Sequence, residues 1–309
     1  MYKKINSINQ EPCCMVKLNE AMEKILDVSE ETNKDIIESL KANSKANDAF
    51  IAIIAPYAGV KVTPSKIKSA SMGISEEFGI ESVIEEIKER EKQCENLYVL
   101  INSPGGLVSS SYKVARALRK NFKDIVVFVP HIAASGGTLI SLIGNKIVMG
   151  MMSQLTPLDP QSGEGSALNI VRGHRNVTNY FSDRSEMDAP YTYKVLAEKI
   201  DAAQLDSAHS ALDLMNEYVS EILAASGYDA DKIGGISLKL VRGFKTHQDV
   251  INLDSAQKIG LNAVAYTEYP KLWEISRQWL SVYLLKSADK HVIRYWINGG
   301  DTCEGTQEN

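Results

Sequence analysis

The sequence predicts an α/β fold built on a mostly parallel sheet, and its middle third carries that prediction. Short apolar runs rich in β-branched residues occur at residues 97–101, 125–129 and 146–149, the length of buried strands. Segments with helical apolar spacing separate these runs. Strands that alternate with helices at this spacing are joined by crossovers, which make neighbouring strands parallel.

The elements before the middle third follow from the same patterns. Residues 15–44 have apolar residues at helical spacing among many polar ones, which predicts one or two surface helices in an N-terminal arm. Residues 50–55 form an apolar run ended by Pro56, which predicts another buried strand. Residues 75–92 predict an amphipathic helix, and residues 107–120 predict the helix that follows the second strand.

The C-terminal half is less regular. Residues 152–190 are polar with little periodicity and predict a long loop or flap, whereas residues 201–225 predict a strong amphipathic helix. A helix followed by a strand is expected within residues 243–265. Residues 273–285 predict an apolar-faced helix for packing or for oligomer contacts through Trp273 and Trp279, and residues 299–309 predict a disordered tail.

Composition excludes several classes of protein. The 309 residues are 44% hydrophobic and 24% charged, which is typical of soluble globular chains. A net charge of −5, without a large Lys/Arg cluster, argues against nucleic-acid binding. The four cysteines have no metal-ligand spacing and indicate free thiols in a reducing cytoplasm. Neither a signal peptide nor a membrane-length apolar run is evident.

Two glycine loops fall at the carboxyl ends of predicted strands, where parallel sheets place their ligand sites. Ser135 lies in the second loop, in the sequence Ala-Ala-Ser-Gly-Gly between a buried strand and a helix. This arrangement is typical of a nucleophile on a tight turn, although a serine before a helix is usually a simple N-cap. The amides of Gly106 and Gly136, with Gly105 beside them, are candidate donors to an oxyanion.

The residues around these loops resemble a known family. The matching segments are Asn-Ser-Pro-Gly-Gly at 102–106, residues 126–140, 147–149 and 158–161, then Thr246-His247 and residues 256–261. They are similar to the serine dehydrogenase proteinase family, which is related to signal peptide peptidase A and to Clp-type peptidases of the crotonase-like superfamily. The resemblance implies a crotonase/Clp-protease-like core of stacked βαβ units.

The resemblance also implies a serine peptidase with a Ser–Lys dyad. Ser135 would be the nucleophile, the Gly106 and Gly136 amides would bind the oxyanion, and a neutral lysine would be the base. Lys199 fits the family pattern better by its flanking residues, and Lys194 is the second candidate. A peptide substrate would lie beside Gly106 and His131 as an added strand.

Alternative mechanisms and functions remain open. A Clp-type triad would need a histidine near residue 160, where there is none; His131 and His247 match family positions but are expected to have structural roles. Asp159 is expected to shape the wall of the site. The other candidate functions are a crotonase-like acyl-CoA hydratase or isomerase, and an inactive or partner-gated scaffold of the same fold.

The resulting organisation is one catalytic core with two extensions. Residues 1–47 are the helical arm, 48–270 the peptidase core, and 271–309 the C-terminal helix and tail. We expect no cofactor and no metal, since the sequence contains neither a P-loop nor a dinucleotide-binding motif. The expected partners are a peptide or protein substrate and further copies of the chain, in a trimer-based ring or stack as the resemblance implies.

Overall fold

A computed structural model describes residues 38–45, 48–55, 71–90, 94–162, 165–182, 189–286, 292–297 and 305–308. Most of the predicted N-terminal arm, residues 1–47, therefore lies outside the described residues, and residues 38–43 are helical.

The strands, numbered in chain order, are β1 (Ala49–Ile54), β2 (Asn96–Asn102), β3 (Asp124–Val129), β4 (Ile132–Ala133), β5 (Lys146–Met149), β6 (Gln154–Leu155), β7 (Gln161–Ser162), β8 (Gly165–Ser166), β9 (Ala263–Ala265), β10 (Val292–Ile297) and β11 (Gly305–Glu308). The helices are α1 (Ile74–Arg90), α2 (Val108–Asn121), α3 (Gly136–Ser141), α4 (Ala167–Ser182), α5 (Tyr191–Glu198), α6 (Ala202–Ala225), α7 (Ala230–Arg242), α8 (Leu253–Ile259) and α9 (Pro270–Lys286), with a 3-10 turn at Tyr266–Glu268.

Seven strands form the central sheet in the order β11-β10-β1-β2-β3-β5-β9. The five strands from β1 to β9 run parallel, and Leu97 of β2 lies in register between Ala49 of β1 and Ile125 of β3. This mostly parallel α/β sheet confirms the predicted fold class.

Both faces of the sheet are buried because successive strand residues point to opposite sides. In β1, Ile51 and Ile53 pack into one hydrophobic cluster, whereas Phe50 packs into a second cluster on the other face. The same alternation recurs in β3, where Val127 enters the first cluster and Phe128 the second. Burial on both faces explains why these strands are continuous apolar runs in the sequence.

Helix α9 covers the second face of the sheet, so of the two roles predicted for its apolar face, packing and oligomer contacts, the structure shows packing. Trp273 and Trp279 are only 7% and 6% exposed, and both belong to the cluster that contains Phe50 and Phe128. Two buried aromatic side chains of this size supply a large part of the apolar area of that layer. The helix is therefore part of the core of this chain rather than an appendage to it.

The C-terminal residues extend the sheet where the sequence predicts a disordered tail. Strand β10 pairs antiparallel with β1, and β11 pairs antiparallel with β10. An unpaired edge of β1 would leave a row of backbone donors and acceptors open, and this pairing satisfies them. The predicted boundary at residue 270 thus does not separate the C-terminal helix and strands from the sheet.

The segment predicted as a long loop, residues 152–190, contains three short strands and helix α4. The loop prediction is therefore wrong for residues 167–182, a helix that buries Ala167, Leu168 and Val171 near its start. Residues 163–164 and 183–188 of this segment lie outside the described residues.

Candidate active site

The first glycine loop follows β2 and is held against the second loop by backbone hydrogen bonds. The Ser103 N–H donates to the Ile132 carbonyl at 2.9 Å, and the Ala134 N–H donates to the Ser103 carbonyl at 2.9 Å. Gly105 has a φ of +103°, and a Cβ there would lie 2.9 Å from Ser135 Cβ. Only glycine satisfies both the backbone conformation and this close approach.

Gly106 presents one side of its backbone to Met72 and leaves the other side open. The Met72 N–H donates to the Gly105 carbonyl and the Leu107 N–H donates to the Met72 carbonyl, both at 2.9 Å. Backbone groups alternate in direction along an extended chain, so the N–H and C=O of Gly106 point away from Met72. A Cβ at Gly106 would lie 2.2 Å from the Met72 carbonyl oxygen, which makes glycine obligatory there too.

Ser135 has an unusual backbone conformation. Its φ is 48° and its ψ is −113°, and among the described residues no other residue besides glycine has a positive φ. The side chain makes no capping hydrogen bond to α3, although Ser135 occupies the N-cap position. An ordinary N-cap has an extended backbone and a bonded hydroxyl, so the simple capping role does not describe this serine.

The amides of Gly106 and Gly136 lie close together beside Ser135. A Cβ built on Gly136 would lie 3.3 Å from the Gly106 nitrogen and 2.1 Å from Ser111 Oγ. Neither of these two N–H groups donates to an acceptor within the described part of the chain. The loops therefore place two uncommitted donors next to a partly exposed serine hydroxyl, an arrangement suited to binding a developing oxyanion.

Neither candidate lysine is brought to Ser135 by a contact among the described residues. Lys194 lies partly buried on α5, and Lys199 is exposed at the C-terminal cap of that helix. Helix α5 packs on α4, where Tyr193 stacks on Tyr180 with ring centroids 3.7 Å apart. The structure thus unites Ser135 with all three predicted glycines, while the assignment of the lysine stays a prediction.

The two histidines that the sequence singles out lie in connecting segments. The exposed His131 stands between β3 and β4, and its carbonyl accepts the Gln154 N–H at 2.8 Å. His247 hydrogen-bonds to the backbone of Asp159, and burial lowers the pKa of its imidazole against the opposing charge of Asp159. Its Nδ1 is buried without a partner among the described residues.

Asp159 organises the start of α4. Its buried carboxylate accepts hydrogen bonds from the Ser166 hydroxyl and from the Leu168 N–H, the latter at 3.1 Å. With these donors its carboxylate has a structural role as the anchor of this segment. No cluster of three or more His, Cys, Asp or Glu side chains able to hold a metal ion occurs in the described ranges.

Three residues around the site were not found by sequence reasoning. Met72 pairs with Gly106, Ser111 Oγ lies against Gly136, and Thr156 Oγ1 accepts the Ser135 N–H at 2.8 Å. Each contact joins segments that are distant in the sequence, and none of the three residues belongs to a motif. The Ser111 hydroxyl is buried and lacks a partner among the described residues.

Comparisons with known proteins give relatives of similar sequence and an alignment with a solved structure. The chain is 32% identical over 164 residues to one uncharacterised protein of Methanocaldococcus jannaschii, and 28% identical over 163 residues to another. Each match covers 53% of this chain, and the chain spans about half the length of these relatives, 52% and 50%. A solved structure of the 1510-N membrane-bound stomatin-specific protease aligns with a TM-score of 0.41 at 15% identity, over 66% of this chain and 79% of that one.

The family match covers four of the seven strands of the central sheet and every candidate site residue that the sequence predicts. Helices long and apolar enough to cross a membrane do not occur in the part of the chain that the structure describes. Residues 79–283, well over half of the chain, match the sequence model of the family described as ClpP-like SDH-type serine proteinase. The chain therefore belongs to the family of ClpP-like SDH-type serine proteinases.

Proposed function

We propose that this chain is a serine peptidase in which Ser135 is the nucleophile and a lysine is the general base. The observation that carries the proposal is the conformation of Ser135, a strained and partly exposed serine between two glycine loops with two uncommitted amides beside it. Backbone strain of this kind is retained where the surrounding structure imposes it, and it is concentrated at functional sites.

In the proposed reaction, a neutral lysine accepts the proton of the Ser135 hydroxyl while Oγ attacks the carbonyl carbon of the peptide bond. The Gly106 and Gly136 amides stabilise the negative charge on the carbonyl oxygen. Collapse of the tetrahedral intermediate breaks the C–N bond, and the lysine returns the proton to the leaving amine. Water, deprotonated by the same lysine, then attacks the acyl carbon; the ester bond to Ser135 Oγ breaks, and Oγ takes the proton back from the lysine.

The lysine must be deprotonated to act, which requires that desolvation or a nearby positive charge lower its pKa. We propose Lys199 as the base and Lys194 as the alternative. The flanking sequence of Lys199 supports this order. Lys194 lies within α5, and Lys199 directly follows the last residue of that helix.

The free backbone edge of Gly106 supports a substrate that binds in an extended conformation. Its N–H and C=O point away from Met72 and can pair with the main chain of a peptide, as an added strand does. His131 at the opposite loop is the second proposed contact. The amino-acid composition supports action in a reducing compartment such as the cytoplasm. The family resemblance supports a trimer-based assembly, whose mass light scattering would measure.

The test is labelling of the full chain with a fluorophosphonate probe, followed by peptide mapping. We expect one adduct, on Ser135, and loss of both labelling and peptide cleavage in Ser135→Ala. Ser109→Ala, at an exposed serine of α2, is the control and should label like wild type. A folded wild-type chain that stays unlabelled would contradict the proposal and favour a partner-gated or inactive scaffold. An adduct that persists in Ser135→Ala would contradict it by assigning the nucleophile to another residue.

A further inference from the structure

The Thr156 side chain makes a direct hydrogen bond to the backbone of the proposed nucleophile. Thr156 Oγ1 accepts the Ser135 N–H at 2.8 Å, and Thr156 is 4% exposed. The bond joins the residue that follows β6 to the turn that follows β4, and these two strands pair in parallel. The hydrogen bond therefore holds the backbone of Ser135, the residue whose φ is positive.

A second threonine fixes Thr156 in turn. Thr138 Oγ1 accepts the Thr156 N–H at 3.0 Å and lies 2.9 Å from the Thr156 carbonyl oxygen. The same hydroxyl lies 2.7 Å from the Ala133 carbonyl oxygen, and Thr138 is fully buried. The backbone of Thr156 is thus bound through its N–H to the first turn of α3, and its branched side chain has few alternative rotamers.

The backbone amides around Ser135 fall into two groups, those that donate a hydrogen bond within the chain and those that are left for a ligand. The Ser135 N–H is committed to Thr156, and the Gly137 N–H is committed to the Ala134 carbonyl at 2.7 Å. The Gly136 N–H between them is left for a ligand, together with that of Gly106. Without the Thr156 hydroxyl, the Ser135 amide would lose its acceptor, and the strained turn would lose a bond that opposes its relaxation.

We propose that Thr156 is a positioning residue for the proposed peptidase reaction, whose hydroxyl locks the Ser135 backbone so that Oγ faces the substrate carbonyl. The inference rests on the proposed function of Ser135. Since Thr156 acts through the alignment of Ser135, its removal lowers the rate of bond formation and leaves substrate affinity nearly unchanged. A displacement of about 1 Å at a reacting atom can lower a rate by about 100-fold.

The variants are Thr156→Val, which keeps the shape and removes the hydroxyl, and Thr156→Ser, which keeps the hydroxyl. Ser153→Ala is the matched control, because Ser153 is equally buried nearby and its hydroxyl bonds to the Gly150 N–H and the Val129 carbonyl but not to Ser135. The measurements are the maximal fluorophosphonate labelling rate, the probe concentration at half-maximal rate, and the unfolding temperature.

We expect Thr156→Val to lower the maximal labelling rate by about tenfold or more, with the half-maximal concentration changed less than about twofold. Thr156→Ser should restore most of the rate, and Ser153→Ala should label like wild type. A folded Thr156→Val that labels at the wild-type rate would overturn the proposal, as would a folded Thr156→Ser no faster than Thr156→Val.

Amide hydrogen exchange in the wild-type chain tests the geometry even if Thr156→Val does not fold. The Ser135 amide should be protected, while the amides of Gly106 and Gly136 exchange much faster. A Ser135 amide that exchanges as fast as these two would contradict the inference. If wild type is not labelled at all, the proposed function fails, whereas the exchange pattern still decides whether Thr156 holds Ser135.

Discussion

The two parts of the proposed site differ in how firmly the fold holds them. Helix α3, which begins directly after Ser135, buries all six of its residues, whereas α5, which carries Lys194 and ends at Lys199, buries none. The turn that carries Ser135 is held by hydrogen bonds, among them those from the Ser135 N–H to Thr156 at 2.8 Å and from the Gly137 N–H to the Ala134 carbonyl at 2.7 Å. The helix that leads to the two lysines packs mainly on α4. Tight packing is thus concentrated where charge would develop in the proposed reaction, whereas the proposed proton acceptor lies on a loosely packed element.

The largest expected effect concerns the lysines at the loosely packed helix α5. Lys199→Ala should lower kcat/KM for peptide cleavage by about 100- to 10,000-fold, because a general base contributes about that much. Lys199→Arg should be equally inactive, since a guanidinium is not deprotonated in proteins. Lys194→Ala is the matched control and should retain activity within about threefold. The reverse result would transfer the role to Lys194, and full activity in both would exclude the proposed dyad.

The next effect concerns the tightly packed glycine loop after Ser135. Gly136→Ala should abolish labelling and lower the free energy of unfolding by about 1–3 kcal/mol, because its Cβ would lie 2.1 Å from Ser111 Oγ. Adding Ser111→Ala removes that oxygen and should recover part of the lost stability. Gly234→Ala is the control: its Cβ would meet no atom within 4 Å on α7, and denaturant unfolding should show unchanged or increased stability.

A smaller effect measures the strain at the nucleophile. Ser135→Gly should raise the free energy of unfolding by about 1 kcal/mol, because glycine adopts a φ of +48° without the steric conflict of a Cβ. Ser135→Ala keeps the Cβ and should not show this gain. Equal stabilities of the two variants in chemical denaturation would show that the turn holds little strain.

The smallest effect concerns pH. Burial lowers the pKa of His247 below the ordinary value of 6.5, so the unfolded chain binds a proton there more readily than the folded chain does. Stability should therefore fall as the pH drops below about 6.5, and His247→Gln should flatten that dependence. His209→Gln, at an exposed histidine on α6, should leave it unchanged. An identical pH profile of the unfolding temperature in all three proteins would contradict the burial of His247.

Sequence patterns identified the residues proposed to react or to bind the oxyanion, but not the residues that hold them in place. The glycines of both loops and Ser135 could be found because tight turns leave a local signature of residue types. Thr156 and Ser111 could not, since a buried hydroxyl has no sequence signature until its partner is known. Likewise, Trp273 and Trp279 have the pattern of an apolar helix face, and that pattern is the same for a face that covers a sheet and for one that meets another chain.

The sequence by itself determined the class of fold, the strands β1, β2, β3 and β5, and the loops that bear Ser135, Gly105, Gly106 and Gly136. These depend on local periodicity and on backbone conformations that few residues other than glycine can adopt. Only the tertiary structure decided that β10 completes the edge beside β1, that α9 is core, and that Thr156 holds the Ser135 amide. Those features depend on which distant segments meet, and pairing across a fold is set by the burial of whole layers rather than by any local pattern.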